Sequence, residues 1–333
     1  MLARVANNLF WMGRYLERSE HLARYLSVNY FSSLDAPDDM SQSKQFVFRS
    51  VMYMSANLIV APEVELKEEE VLFNVGLNTN APYSIINSMF KAYENARSSR
   101  DLISTELFEA INTIRNDVKN YSVEDFIKSN LYDFTTLVTN ATSSIRTKIQ
   151  STLLHDEVYA IIMLGIYLER AMQVSRIINS KVSDASAEKE YYSSTMGETH
   201  GYQWSTLLKC VSSYDMMRRF YKKTPQRKNT LEFIILNSQC PRSIKNCLNE
   251  IHKYIAIISK EKNPSNPSAS FSIAKMKCEY DYKLIEDIDD NLQECIGQLV
   301  TKLEIIAEQL EEDYFNISNA CIVKPHQKQE FIY

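Results

Sequence analysis

Two short segments carry the side chains best suited to chemistry. Gly13-Arg14-Tyr15-Leu16-Glu17-Arg18 and Gly165-Ile166-Tyr167-Leu168-Glu169-Arg170 each set a carboxylate beside a guanidinium, with glycine four residues before the glutamate and Arg24 or Arg176 seven after it. A guanidinium keeps its charge, so once surrounded by apolar side chains it needs a carboxylate, a carbonyl or an anionic ligand. Glycine on the glutamate's face leaves room for another backbone, or a ligand, to approach the carboxylate. Two readings follow. Either Arg14, Glu17, Arg18, Glu169 and Arg170 form interhelical ion pairs that key two halves of the molecule together, or they line a shared polar pocket. A third segment offers similar groups. Phe90, Glu94, Arg97, Asp101, Ser104, Phe108 and Ile111 are spaced by three and four, which on one continuous helix gives a stripe of two carboxylates, an arginine and a hydroxyl, with Arg100 beside it. The same spacing also suits ordinary ion pairs on a solvated border.

Other chemistries find no support. The five histidines show no H-x-x-x-H or H-E-x-x-H spacing, so no metal site is expected, and His155-Asp156-Glu157 reads as the first turn of a helix. No glycine-rich phosphate loop and no G-x-S-x-G elbow occurs, and no cofactor is expected. The six cysteines form no C-x-x-C pair and read as reduced, partly buried thiols in a cytoplasmic protein.

The elements that must hold these side chains are helices. Six glycines and eight prolines in 333 residues are few, and nothing alternates with period two for long enough to predict a sheet. Val5, Leu9, Met12, Leu16, Ser19, Ala23 and Leu26 share one helical face, as do Ile161, Leu164, Leu168, Ala171, Ser175 and Ile178. Further long patterned segments run over about 44–60, 83–119, 123–150, 204–223, 242–260 and 279–315, with loops at 31–43, 183–201 and 260–270. Pro82 and Pro241 stand just before serine and a new apolar pattern, as at helix starts.

The segments repeat in order. Tyr15 returns as Tyr167, at an offset of 152. Leu72, Leu77, Asn78, Pro82, Ser84 and Ile85 return as Leu231, Leu236, Asn237, Pro241, Ser243 and Ile244, at an offset of 159, and Val47–Val51 matches Leu207–Val211 more weakly. Collinear matches at nearly one offset predict a tandem duplication. The expected fold is an all-α helical bundle, a single domain with halves 1–150 and 151–315 related by a pseudo-two-fold axis and followed by a tail at 316–333.

Charge narrows the partners. A formal net charge of −5 does not favour nucleic acid or an anionic membrane surface. The basic run Arg218 to Lys228 reads as a solvated helix end before a turn at Pro225, no apolar run approaches a membrane span, and the N-terminus lacks a signal-peptide core.

The opening Arg4-Val5-Ala6-Asn7-Asn8-Leu9-Phe10-Trp11-Met12-Gly13-Arg14-Tyr15-Leu16-Glu17-Arg18-Ser19-Glu20 resembles the first motif of the bacterial alpha-E domain family. Ala81 to Ile85 with Glu94 to Arg97 and Arg100 to Glu106, then Leu164 to Ala171, and finally Trp204 to Arg219 with Cys240 to Ile244, extend the resemblance in order along essentially the whole chain. His21 departs from it, standing where members often have asparagine. The resemblance implies an all-helical protein encoded beside ATP-grasp-type amide ligases and transglutaminase-like peptidases, hence a role in making or modifying peptides. Two functions follow. In one, a non-catalytic helical partner docks a ligase or peptidase, or presents an acidic peptide or carboxylate ligand through Arg18, Arg97, Arg100 and Arg170. In the other, an enzyme uses Glu17, Glu94 or Glu169 as general base on a carboxylate- or phosphate-bearing peptide or metabolite. Arginines beside a glutamate lower its pKa, which counts against the second.

Overall fold

The computed structural model of the chain describes residues 2–34, 44–56, 58, 60–61, 63–128, 131–191, 199–259, 268–289 and 291–315. The described residues are all-helical apart from turns. In chain order the helices are α1 (Ala3–Leu34), α2 (Lys44–Ala56), α3 (Glu68–Gly76), α4 (Ile85–Ser98), α5 (Thr105–Lys119), α6 (Val123–Lys128), α7 (Leu131–Thr152), α8 (Glu157–Tyr191), α9 (Thr199–Cys210), α10 (Tyr214–Tyr221), α11 (Arg227–Leu236), α12 (Ile244–Ile258), α13 (Ala269–Tyr282), α14 (Glu286–Asp289) and α15 (Leu292–Tyr314).

The described residues group into two compact units. One comprises residues 2–14 with those from 154 to 315, and the other those from 15 to 153. In the first, α8 packs against α9, α12 and α15, and α12 also packs against α11 and α13. In the second, α4 packs on α5 and α5 on α7, with α2, α3 and α6 completing the cluster. The first turns of α1, through Arg14, belong to the same unit as the helices after residue 153.

The apolar stripes read from the sequence are core. On α1, Leu9, Met12, Leu16, Ala23 and Leu26 are buried, and on α8 so are Ile161, Leu164, Leu168, Ala171 and Ile178. A second seam is buried too, through Tyr15, Leu22 and Tyr25 on α1 and Met163, Ile166, Val174 and Ile177 on α8, so both helices are embedded nearly all round. Residues 157–184 of α8 are long and apolar enough to cross a membrane, which corrects the expectation that no segment approaches that length. Yet 89% of the most apolar window is buried within the protein, as in a core helix.

Helices end and restart where the sequence pattern ran on. The segment 83–119 is two helices. Ser104 accepts a hydrogen bond from the Leu107 backbone N–H and caps α5, and a single 3-10 turn at Arg100–Leu102 joins it to α4. Likewise 123–150 divides into α6 and α7, 204–223 into α9 and α10 at Ser212 and Ser213, and 279–315 into the end of α13, then α14 and α15. The expected loops shrink in the same way, since α1 runs on to Leu34, α8 to Tyr191, and α9 and α13 begin at Thr199 and Ala269. The tail 316–333, with Cys321 and His326, lies outside the described residues.

Two turns agree in hydrogen-bond detail. Before α4, the Ser84 hydroxyl donates to the Asn78 carbonyl (2.7 Å) and accepts from the Asn87 N–H (3.2 Å), while the Asn87 side chain donates to the Thr79 carbonyl. Before α12, Ser243 bonds Asn237 (2.5 Å) and Asn246 (3.0 Å), and Asn246 bonds the Ser238 carbonyl. The prolines at 82 and 241 therefore sit two residues ahead of the capping serine, outside the first helical turn. Ser243→Ala removes both the cap and the bond back to Asn237, and its expected cost is about 1–2 kcal/mol in urea denaturation. An unchanged unfolding midpoint would show that the turn holds without the serine.

Candidate functional site

Where the first turns of α1 meet α8, glycine decides the distance. A Cβ on Gly13 would lie 2.4 Å from the Ile162 carbonyl oxygen, and one on Gly165 would lie 2.1 Å from the Phe10 carbonyl oxygen. The contact is reciprocal, each glycine meeting the backbone three residues before the other. The space left by glycine is thus filled by another backbone.

That approach brings Arg14 to Glu169. Arg14 Nε donates to Glu169 Oε2 at 2.9 Å, both side chains being buried, and the guanidinium lies 4.3 Å from the Trp11 ring and 5.6 Å from Phe10. Gln173, one turn further along α8, donates to Glu169 Oε1 at 2.7 Å. In the other unit Glu17 repeats the pattern with different partners. His21, one turn further along α1, donates from Nε2 to Oε1 at 3.1 Å, and Arg146 of α7 donates to Oε2 at 3.0 Å. His21 and Gln173 stand at the offset of 152 that relates the two motifs. Arg146 also bonds Glu20, whose other oxygen receives Arg24, so one arginine on α7 ties two carboxylates of α1.

The remaining arginines of the motifs stack. Arg18 lies 5.7 Å from the Tyr15 ring and Arg170 4.8 Å from the Tyr167 ring, with Arg170 Nη1 3.5 Å from the Pro241 carbonyl. Tyr167 stacks on Tyr254, whose hydroxyl is pushed up by burial and by its hydrogen bond to Tyr159. Arg176 is half-buried further along α8. Lys91 of α4 reaches the Tyr15 ring as well, at 5.6 Å. Burial and the nearby Arg18 charge hold its ammonium below the ordinary lysine range.

The third group is dispersed, contrary to expectation. Because the helix breaks between Ser98 and Thr105, Glu94, Arg97, Asp101 and Ser104 do not form one stripe. Glu94 and Arg97 make an exposed pair at 2.7 Å, whose expected contribution is below about 0.5 kcal/mol. Arg100 lies over Phe108 and donates to the Thr105 hydroxyl, Asp101 is exposed, and Ser104 meets Thr152 at 2.6 Å. The more apolar neighbours Ala96, Ile103, Leu107 and Ile114 are core.

The other chemistries resolve simply. Among the described residues no group of three His, Cys, Asp or Glu side chains could hold a metal ion. Asp156 receives the Val158 N–H at the start of α8, and His155 stacks on Tyr159. The basic run ends α10, with Lys222 in the left-handed conformation that closes the helix. Cys210, Cys240 and Cys247 are buried free thiols, Cys295 is partly buried and Cys278 is exposed.

Sequence reasoning missed Arg146, Gln173, Glu20 and Lys91. Glu20 and Arg24 were visible as an i,i+4 pair. Lys91 was visible as a charge reversal, since the offset of 159 places Glu250 opposite it. Arg146 had no local signal, because its partners lie well over a hundred residues away.

No curated protein and no solved structure matches the chain. A family model, Alpha-E, described as a predicted alpha-helical domain with a conserved ER motif, matches residues 1–315. With Glu-Arg pairs at 17–18 and 169–170 and a match over nearly its whole length, the chain belongs to the Alpha-E family of alpha-helical domains.

Proposed function

We propose that this protein is a non-catalytic helical partner in a peptide-making or peptide-modifying system, binding an ATP-grasp-type amide ligase or a transglutaminase-like peptidase and presenting a carboxylate-bearing substrate to it. The observation that carries the reading is the state of the two motif glutamates. Glu17 and Glu169 each have both oxygens engaged, one by the side chain four residues on and one by an arginine from another helix. A general base needs a free lone pair aimed at a proton within about 3 Å, and a carboxylate held by arginine is a poor base. Glu94 is no better placed, being exposed and paired with Arg97. Motif carboxylates tied in this way serve to fix helices, which leaves the surface for partners.

The reading is tested by mixing the purified chain with an ATP-grasp-type amide ligase and following size-exclusion elution together with ligase turnover. A shared peak and an altered ligase rate are expected. Separate elution at micromolar concentrations with an unchanged rate would overturn the proposal, as would turnover of the ligase substrates by this chain alone.

A further inference from the structure

Around the end of α10 stand cations that no carboxylate answers. Lys209 of α9 and Arg218 lie 5.7 and 5.5 Å from the one Tyr214 ring, and Arg219, Lys222 and Lys223 follow, all of them exposed. Among the described residues none of these five comes within ion-pairing distance of a carboxylate, although Asp215 stands on the same helix, three and four residues before the two arginines. Arg227 and Lys228, just beyond, differ in being paired with Asp289 and Glu286. Lys222 also has a φ of 52°, a backbone conformation that glycine takes at less cost, so the cation is kept there against a local preference. Phe220, in the middle of the run, is 53% exposed.

At the offset of 159 the corresponding turn in the first half carries the opposite charge. Glu63 stands for Lys222, Glu68 for Arg227 and Glu69 for Lys228. This turn, 63–70, is fastened to α2: Arg49 donates to the Val64 carbonyl at 2.7 Å, and the Gln45 side chain bonds both the N–H and the carbonyl of Leu66. Lys44 holds Glu68 and Lys67 holds Glu70, whereas Glu63, Glu65 and Glu69 are exposed and, among the described residues, pair with no cation. Val64, between the first two, is 49% exposed. Each turn thus gathers unanswered charge of one sign about an exposed apolar side chain, and the two signs are opposite. Like charges gathered in this way repel one another, and a surface of the opposite sign relieves the repulsion in both.

We propose that copies of this chain associate with one another, the basic end of α10 in one copy docking the acidic turn 63–70 of the next. Unlike surfaces meet, so the contact is heterologous. It rests on exposed charges, which makes it weak and dependent on salt. It does not depend on the ligase reading above.

The test is sedimentation equilibrium of the full-length chain at concentrations up to about 0.5 mM. In about 50 mM sodium chloride the weight-average mass is expected to rise at least about 1.5-fold above the monomer, and in about 0.5 M to return to it, because the screening length there is only about 4 Å. A charge exchange then identifies the surfaces. One variant carries Arg219→Glu, Lys222→Glu and Lys223→Glu, and the other Glu63→Lys, Glu65→Lys and Glu69→Lys. All six side chains are exposed, and unchanged circular dichroism checks that both variants fold. Each variant alone is expected to stay monomeric, and their equimolar mixture to regain the mass of the unaltered chain. An unaltered chain that is monomeric throughout at low salt overturns the proposal. Association that survives either triple substitution, or that does not return on mixing, overturns the pairing of these two surfaces. A monomeric chain whose Lys222 and Lys223 are protected from acetylation by triglutamate assigns the basic face to a foreign acidic peptide and overturns the second copy.

Discussion

Glu169→Gln is expected to cost about 3–5 kcal/mol of stability, because it leaves the buried Arg14 guanidinium facing an amide that cannot neutralise it. The substitution keeps shape and volume, so little of the loss comes from a cavity. Arg14 cannot relieve the strain by losing its proton, and it sits against Trp11 and Phe10 rather than in water. The double substitution Arg14→Met with Glu169→Gln is expected to recover most of the loss, since it removes the stranded charge and leaves Gln173 an acceptor at position 169. A coupling of at least about 2 kcal/mol in a urea double-mutant cycle is therefore expected. A single-variant cost under about 1 kcal/mol would mean that the pair is solvated, and the architectural role of the motif would fall with it.

Gly165→Ala and Gly297→Ala are expected to change stability in opposite directions, although both put alanine into a helix interior. Alanine normally favours a helix over glycine by about 1 kcal/mol. At Gly297 in α15 nothing lies within 4 Å of an added Cβ, so that gain of about 0.5–1 kcal/mol is expected to appear in full. At Gly165 the Cβ would meet the Phe10 carbonyl oxygen at 2.1 Å and its carbon at 3.0 Å, both backbone atoms of a packed helix that cannot rotate away. The helices must separate, and the expected net loss is about 1–3 kcal/mol, read from the shift in urea midpoint. Because the same contact sets the reach of Arg14, Gly165→Ala is also expected to reduce the coupling between Arg14 and Glu169. A stabilising Gly165→Ala would show that the backbones are not in contact in solution.

Much of this molecule is legible in one dimension, for reasons that individual residues show. The buried faces of α1 and α8 follow from apolar residues at spacings of three and four, because a helix maps that spacing onto one side whatever it packs against. The starts of α4 and α12 follow from Ser84 and Ser243, since a cap acts on N–H groups two and three residues away. Ser104 is a capping serine as well, yet the pattern around it suggested one unbroken helix. There the apolar spacing continued through 98–105 while the backbone did not, and Glu94, Arg97, Asp101 and Ser104 parted company.

The chain's local chemistry determined that it is helical, that glycine four residues before each glutamate opens a close approach, and that each motif arginine requires a partner. Each of these depends on residues within one or two turns. Tertiary structure alone decided which partners answer: Glu169 for Arg14, Arg146 for Glu17 and Glu20, and the Tyr15 ring shared by Arg18 and Lys91. The reason is physical. Apart from Arg18 on Tyr15, which is one turn away, these ion pairs and ring contacts act over a few ångströms between side chains more than seventy residues apart, and any of several carboxylates would satisfy a given guanidinium equally well until packing of the apolar faces brings one of them within reach.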